Sequence, residues 1–380
     1  MNHTAGALWR LVMVVLALIL CLLTVGAGPS EAPPEHQEEL LEGTVTAIIS
    51  EEEIIPEGGE QKQLLQEFDV LVARGSLRGQ TIRVRSGLYA SAILQRYVVG
   101  DDLVIRATTN VQGVTSYTVV DYVRRGPLLG LAIIFMVITA LVGHRQGLLS
   151  LAGMALSFAV ILLYVLPQIL DGADPVRTAI LASLVIIPAT YLLSHGVTVK
   201  TGVAMVGTLI ALLITGLLAR YYIDATRLTG FASEEAGFLQ AYSPGQINIR
   251  GLILAGIIIG ITGVLDDVTI SQAAVIQQLK LANPSLSSWQ LYRQAMSIGR
   301  DHIASMVNTL VLVYAGAALP LLLLFVDRSR PMLEVLNYEI LVEEIVRTLV
   351  GSIGLIIAVP ITTALAAWVS RYGWFTRQKS

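Results

Sequence analysis

Long apolar runs separated by short polar breaks dominate the chain. They lie near Leu8 to Ala27, Leu128 to Gly143, Leu148 to Leu166, Ala179 to Leu193, Val197 to Leu218, Leu252 to Ile276, Ile303 to Phe325 and Ile345 to Val369. A helix needs roughly 20 apolar residues to cross a hydrocarbon core, so the pattern predicts about eight spans. Between the first and second runs the pattern changes. Glu31 to Arg125 is charged, broken by glycines and built of short alternating segments of the kind half-buried strands show. Strands are expected at Gly43 to Ser50, Phe68 to Arg74, Thr81 to Arg85, Asp102 to Thr108 and Tyr117 to Asp121, with Ile82 and Val84 facing inward and Arg83 and Arg85 outward. Five such strands suggest a small barrel or OB-like sheet.

Composition supports this division. Hydrophobic residues make up 54% of the chain and charged residues 14%, whereas soluble domains carry about 25% charge. Lipid is therefore the solvent for most of the molecule. The expected class is an α-helical polytopic membrane protein with a small all-β, OB-like extracytoplasmic domain. Its expected parts are residues 1–29 as a signal peptide or membrane anchor, 30–125 as the β-rich domain and 126–380 as the membrane domain. A formal charge of −3 without a concentrated basic face argues against a nucleic-acid partner. The single Cys21 rules out a disulfide framework or a cysteine metal site. No cofactor and no metal are expected.

Arg10, the apolar stretch Leu11 to Val25 and the small residues Gly26, Ala27 and Gly28 fit a cleaved signal peptide or an uncleaved anchor, and both place Glu31 onward outside. Counting spans from there puts His144, Arg145, the turn Ser194 to Gly196, the segment Leu279 to Arg300 and the tail from Arg371 in the cytoplasm. Arg177, Arg220, Arg227, Arg250, Arg328 and Arg330 then lie outside. The positive-inside bias is weak, so the orientation rests on the N-terminal segment. The acidic stretch Glu51 to Glu60 is either a partner surface or a solvated hairpin. Pro188 and Pro360 each follow an Arg-Thr pair within an apolar run, which is either a trace of duplication or two packing-compensated kinks.

Candidate chemistry concentrates between Gly251 and Gln278, where Asp266 and Asp267 interrupt a helical pattern of apolar and small residues. Even low estimates put the cost of a centrally placed Asp at about 2.5 to 3.5 kcal/mol, so such residues pair, face a bundle interior, or bind protons or ions. Gly256, Gly260, Gly263, Asp267, Ser271, Ala274 and Gln278 recur at steps of three and four and share one helix face. That face predicts a packing seam at the glycines, opening into a polar path whose proton or cation site is Asp266, Asp267 and Ser271. The competing reading ends the helix near Asp266 and leaves both carboxylates among headgroups or as caps.

A second cluster, Arg300, Asp301 and His302, opens the next span and is followed by Ser305, Asn308 and Thr309. Asn308 falls about 10 Å deeper than Asp301 on the same face. Arg300 or His302 is a candidate charge partner for Asp267; the alternative is an interfacial anchor with Arg300 snorkelling. Between the clusters, the segment near 279–300 reads as an interfacial helix, broken from the one before by Pro284 and capped by Ser287 or Ser288. No His-Glu-x-x-His, phosphate-cradling Gly loop with Lys, or Ser elbow is present, which argues against an ATP-driven pump.

The stretches GVLDDVTISQAA (Gly263 to Ala274) and IGRDHIASMVNTLVLVYAGAALPLLLLF (Ile298 to Phe325) resemble the YibE/F family of bacterial membrane proteins, with further support at Arg145 to Gly153 and His195 to Thr201. That resemblance implies an architecture rather than an activity. A more distant likeness, to export motor subunits and resistance-nodulation-division transporters, implies proton handling at Asp266 or Asp267 with Arg300 to His302 or Asn308 as partners. The chain departs from them in its extra spans, its small outer domain and the lack of a matching intramembrane Lys.

The leading expectation is a secondary transporter or exporter component of the bacterial cytoplasmic membrane, proton- or cation-coupled through Asp267, with a cytoplasmic C-terminus. Its expected partners are the lipid bilayer, an extracytoplasmic protein and further copies of itself. The rival is a non-transporting envelope scaffold or receptor whose β domain binds a partner. An enzyme is not expected; the enzymatic alternative is an intramembrane hydrolase pairing Asp267 with Asp301.

Overall fold

A computed structural model describes residues 38–55, 62–88, 95–109, 114–242, 245–325 and 331–372. The expected N-terminal span, Arg328, Arg330 and the tail beyond Tyr372 lie outside the described residues. The chain divides into two compact units, one running from Gly28 to Ile138 and the other containing Thr139 to Ser380.

In the first unit, β1 (Glu38–Ile54), β2 (Gln63–Arg74), β3 (Thr81–Ser86), β4 (Asp102–Thr109) and β5 (Thr115–Tyr122) form one antiparallel sheet in the order β3-β2-β1-β4-β5. Alternation decides what is buried. Leu41, Val45, Phe68, Val70, Ile82, Val84, Leu103 and Ile105 point into one core, while Arg83 and Arg85 stay outside and pair with Asp69 and Glu67. Long β1 reaches both neighbours by bulging at Glu42/Gly43, Val45/Ala47 and Ile48/Ser50. Gly43 is required there, since a Cβ would sit 2.6 Å from the Leu71 carbonyl oxygen.

The acidic stretch is partly strand: Glu51, Glu52 and Glu53 pair across to Gln66, Leu65 and Leu64. Residues 56–61 lie outside the described residues. The Arg96 guanidinium donates to the Glu51 carboxylate at 2.9 Å and holds it below the usual carboxylate range. Gln66, wholly buried, accepts from the Tyr97 N–H at 2.8 Å and donates to its carbonyl at 3.0 Å. One amide side chain thereby satisfies backbone that no strand pairs.

The helices follow. They are α1 (Arg125–Val160), a π-turn (Ile161–Val165), α2 (Leu166–Leu170), α3 (Pro175–His195), α4 (Val199–Ala225), α5 (Glu234–Tyr242), α6 (Ile249–Ala282), α7 (Ser288–Ala317), α8 (Leu319–Phe325), α9 (Met332–Val335) and α10 (Glu339–Val369). Among the described residues five helical stretches are long and apolar enough to span a membrane: Arg125–Leu170, Pro175–His195, Val199–Ala225, Ile249–Ala282 and Glu339–Tyr372.

The first of these contains two of the expected runs. It breaks at His144, where φ is 46° and ψ is −133°. The chain folds back there, for a Cβ on Gly147 would lie 2.3 Å from the carbonyl oxygen of Thr139, eight residues earlier. The π-turn has a local cause: Pro167 has no N–H to give, so the Leu166 N–H closes on Ile161, five residues back. The run Ile303 to Phe325 falls on α7 and α8 and is not among the five. Polar residues on α7 lower its hydropathy, and Pro320 at the start of α8 accompanies the break at Ala318.

The expected interfacial helix near 279–300 is no separate element. Its latter half is the first part of α7, which starts on a capping box between Ser287 and Gln290 and runs on unbroken to Ala317.

The bundle core is made by α4, α6 and α10. Its closest seam is a reciprocal glycine-hydroxyl fit between α4 and α10: Gly207 faces Thr362, and Gly354 faces Thr215. A Cβ at Gly207 would lie 2.2 Å from Thr362 Oγ1, and one at Gly354 2.5 Å from Thr215 Oγ1. Pro188 and Pro360 sit inside continuous α3 and α10.

Candidate functional site

The helix α6 passes straight through Asp266 and Asp267. Asn248 caps its first turn by accepting from the Gly251 N–H. Asp266 lies about 25 Å from either end at 1.5 Å per residue, so the reading in which the helix stops at the carboxylates does not hold. A step of one residue turns the helix by about 100° and separates the pair. Asp266 is half-buried and lines a cavity, whereas Asp267 is exposed.

The cavity has a volume of about 360 Å³ and lies between the second half of α1, α3 and α6. Gly153 lets α1 approach α3, where its added Cβ would sit 3.5 Å from Thr190 Cα. Hydroxyls furnish much of the lining: Ser150 and Ser157 from α1, Ser183, Thr190, Tyr191 and Ser194 from α3, and Thr262 beside Asp266 on α6. Ile161, the first residue of the π-turn, closes one side, and widened turns of this kind recur at functional sites. Asp266 Oδ1 is buried and has no hydrogen-bond partner among the described residues. An oxygen in that condition is costly unless a proton or an ion answers it.

Hydrogen bonds fix the walls. Ser157 donates to the Gly153 carbonyl at 3.0 Å, Thr190 to that of Ile186 at 3.0 Å and Thr262 to that of Ile258 at 2.8 Å. With the Thr262 proton so engaged, Ser183 donates to Thr262 Oγ1 at 3.1 Å and joins α3 to α6. At the cavity wall, wholly buried Tyr191 bonds Thr208 of α4 at 2.6 Å, Thr269 of α6, and the Asp266 main-chain oxygen at 3.2 Å. Three helices are thus locked around one phenol.

The remaining expected residues lie elsewhere. Ser271 is half-buried. The face carrying Gly256, Gly260 and Gly263 is open among the described residues. A Cβ on Gly256 or Gly263 would meet nothing within 4 Å, and one on Gly260 only the Tyr314 hydroxyl at 3.9 Å. The close approach those glycines permit is made instead at Gly207 and Gly354.

Asp301, Ser305 and Asn308 share an exposed face of α7, and Arg300 is exposed. His302 is half-buried, with Nε2 unpartnered. Among the described residues no ion pair joins Asp266 or Asp267 to Arg300 or His302, and no hydrogen bond joins Asp267 to Asp301. What the second motif does position is Gly299, which lets α7 rest on Gln272 of α6 and Val359 of α10. Gln272 in turn accepts from Thr363 at 2.9 Å.

Sequence reasoning missed the hydroxyl wall. Its signal was present in the spacings Ser150/Ser157 and Ser183/Thr190/Ser194, which repeat at seven and four residues inside apolar runs.

Apolar helices of spanning length, a hydroxyl-lined cavity within the helical unit and a separate antiparallel sheet define a multi-pass membrane protein with a small β domain. Residues 131–372 match the model of the YibE/F-like protein family, and the chain belongs to that family. No curated protein and no solved structure matches it.

Proposed function

We propose that the protein is a secondary transporter or exporter component of the bacterial cytoplasmic membrane, coupled to protons or cations at Asp266. One observation carries this reading: a buried, unpartnered carboxylate oxygen at mid-helix, beside a cavity walled by hydroxyls. Such a group in low dielectric is expensive to keep charged, so its occupancy by a proton or cation changes how α1, α3 and α6 pack around it. Asp267 and the Arg300 to His302 cluster then lie outside the coupling site.

The finer architecture belongs to the same proposal. Eight spans follow from the N-terminal run, the two halves of α1, then α3, α4, α6, α7 with α8, and α10. The β domain is extracytoplasmic and the C-terminus cytoplasmic. An OB-like barrel is supported by the strand order and by the approach of edge strands β3 and β5, which would close the ring.

The test is a solute-uptake screen on full-length protein in liposomes under imposed pH and sodium gradients. A gradient-driven flux should appear, fall to background in Asp266→Asn and persist in Asp267→Asn. A flux that survives Asp266→Asn overturns the assignment. Absence of any flux favours a scaffold that presents its β domain to a partner.

A further inference from the structure

We propose that the Asp266 cavity binds a dehydrated monovalent alkali cation; this rests on the coupling site named above and specifies its ligand. The argument follows the hydroxyl protons. Ser157, Thr190 and Thr262 each donate to a main-chain carbonyl of their own helix, and Ser183 donates to Thr262. A hydroxyl whose proton is engaged offers only lone pairs to the space in front of it. Four of the seven lining hydroxyls therefore act as acceptors, together with the unpartnered Oδ1 of Asp266.

A carboxylate facing hydroxyl oxygens suits a cation and repels an anion; Ser150 and Ser194, which also line the cavity, can turn their lone pairs toward the same ion. A proton on Asp266 needs one acceptor, and this wall supplies several. Among the described residues no lysine, arginine or histidine lines the cavity to neutralise the carboxylate. A divalent ion would leave a net positive charge in low dielectric, and sites for Ca²⁺ or Mg²⁺ recruit more carboxylates or several waters. One positive charge balances one Asp.

Proline disturbs the backbone hydrogen bonding of the helices beside the cavity. Pro188, between the lining residues Ile187 and Thr190, has no N–H for the Leu184 carbonyl one turn earlier. Pro167 similarly disturbs the donor pattern of the π-turn that begins at Ile161. The Ile161 carbonyl is taken by the Leu166 N–H and Leu184 is not among the lining residues, so these backbone irregularities flank the site, as broken helices do in other transporters, and the ligands remain the side-chain oxygens.

The experiment is thermal unfolding of purified full-length protein in detergent, titrated with NaCl, LiCl, KCl or choline chloride at constant ionic strength. At least one alkali cation should raise Tm saturably, competitively with protons, while choline does not. Asp266→Asn should abolish the shift. Because that variant can fail to fold, Ser183→Ala and Ser157→Ala are tested beside it, and each should weaken apparent affinity about threefold to tenfold. Equal shifts with choline, a cation shift unchanged in all three variants, or a Tm that responds to pH but to no alkali ion would overturn the proposal. Saturable cation binding with no flux in liposomes leaves this inference standing and removes transport. Flux driven by a pH gradient alone, with no alkali binding, does the reverse.

Discussion

Replacing Gly207 with alanine adds one methyl group at the tightest point of the bundle. The new Cβ would lie 2.2 Å from Thr362 Oγ1, 3.1 Å from Thr362 Cβ and 3.3 Å from its Cγ2. Thr362 is wholly buried and cannot swing clear, so α4 and α10 must separate by about 1 Å to restore van der Waals contact. That movement also loosens the mirror contact, Gly354 on Thr215.

Overpacking of this kind costs about 1 to 3 kcal/mol, and alanine returns up to about 1 kcal/mol through helix propensity. From the middle of that range the net loss is about 1 to 2 kcal/mol, which lowers Tm by about 2 to 8 °C for a domain of this size. Thr362→Ala supplies the control. Its Oγ1 has no hydrogen-bond partner among the described residues, so deleting it forfeits packing but no bond, and in the double variant it gives the added methyl room. Thermal unfolding of the two single variants and the double variant measures the coupling. A Gly207→Ala protein as stable as the parent, or a double variant no better than Gly207→Ala alone, would refute the seam.

Two further outcomes concern the β domain. Gln66→Ala leaves the Tyr97 N–H and carbonyl without their buried partner, at about 1 to 3 kcal/mol for each unsatisfied group; hydrogen exchange at Tyr97 in the full-length protein should quicken by tenfold or more. Glu51 is held below the usual carboxylate range chiefly by its hydrogen bond to Arg96, and Glu39 by Ser76. Since depressed carboxylates stabilise the fold above their unfolded pKa and stop doing so as pH falls through the folded value, resistance of the domain to pulse proteolysis in urea should be level from about pH 7 to about pH 5 and decline below about pH 4. Arg96→Ala should remove the Glu51 share of that decline, and an unchanged profile would count against the pairing.

Local pattern made much of this molecule readable. Ile82 and Val84 face inward and Arg83 and Arg85 outward because a strand has only two faces, and the pause at Asn283 to Ser287 was audible in Pro284 and the capping serine. Long-range packing was not. The glycine stripe Gly256, Gly260 and Gly263 obeys the same spacing rule as any seam, yet Gly207 and Gly354 make the close contacts, since a seam needs a partner helix as well as a small face. The fold-back at His144 joined two apolar runs into one assigned helix, a matter of one residue's φ and ψ.

The sequence by itself determined that lipid solvates most of the chain, that a sheet-forming segment precedes the helices, and that an acidic pair interrupts an apolar helix. These are sums and periodicities over neighbouring residues, which a linear string contains in full. Only the tertiary structure decided which aspartate meets the cavity, because Asp266 and Asp267 differ by about 100° of rotation and everything then depends on what stands opposite. The serines and threonines of α1 and α3 stand there, brought from more than seventy residues away by helix packing that no local spacing encodes.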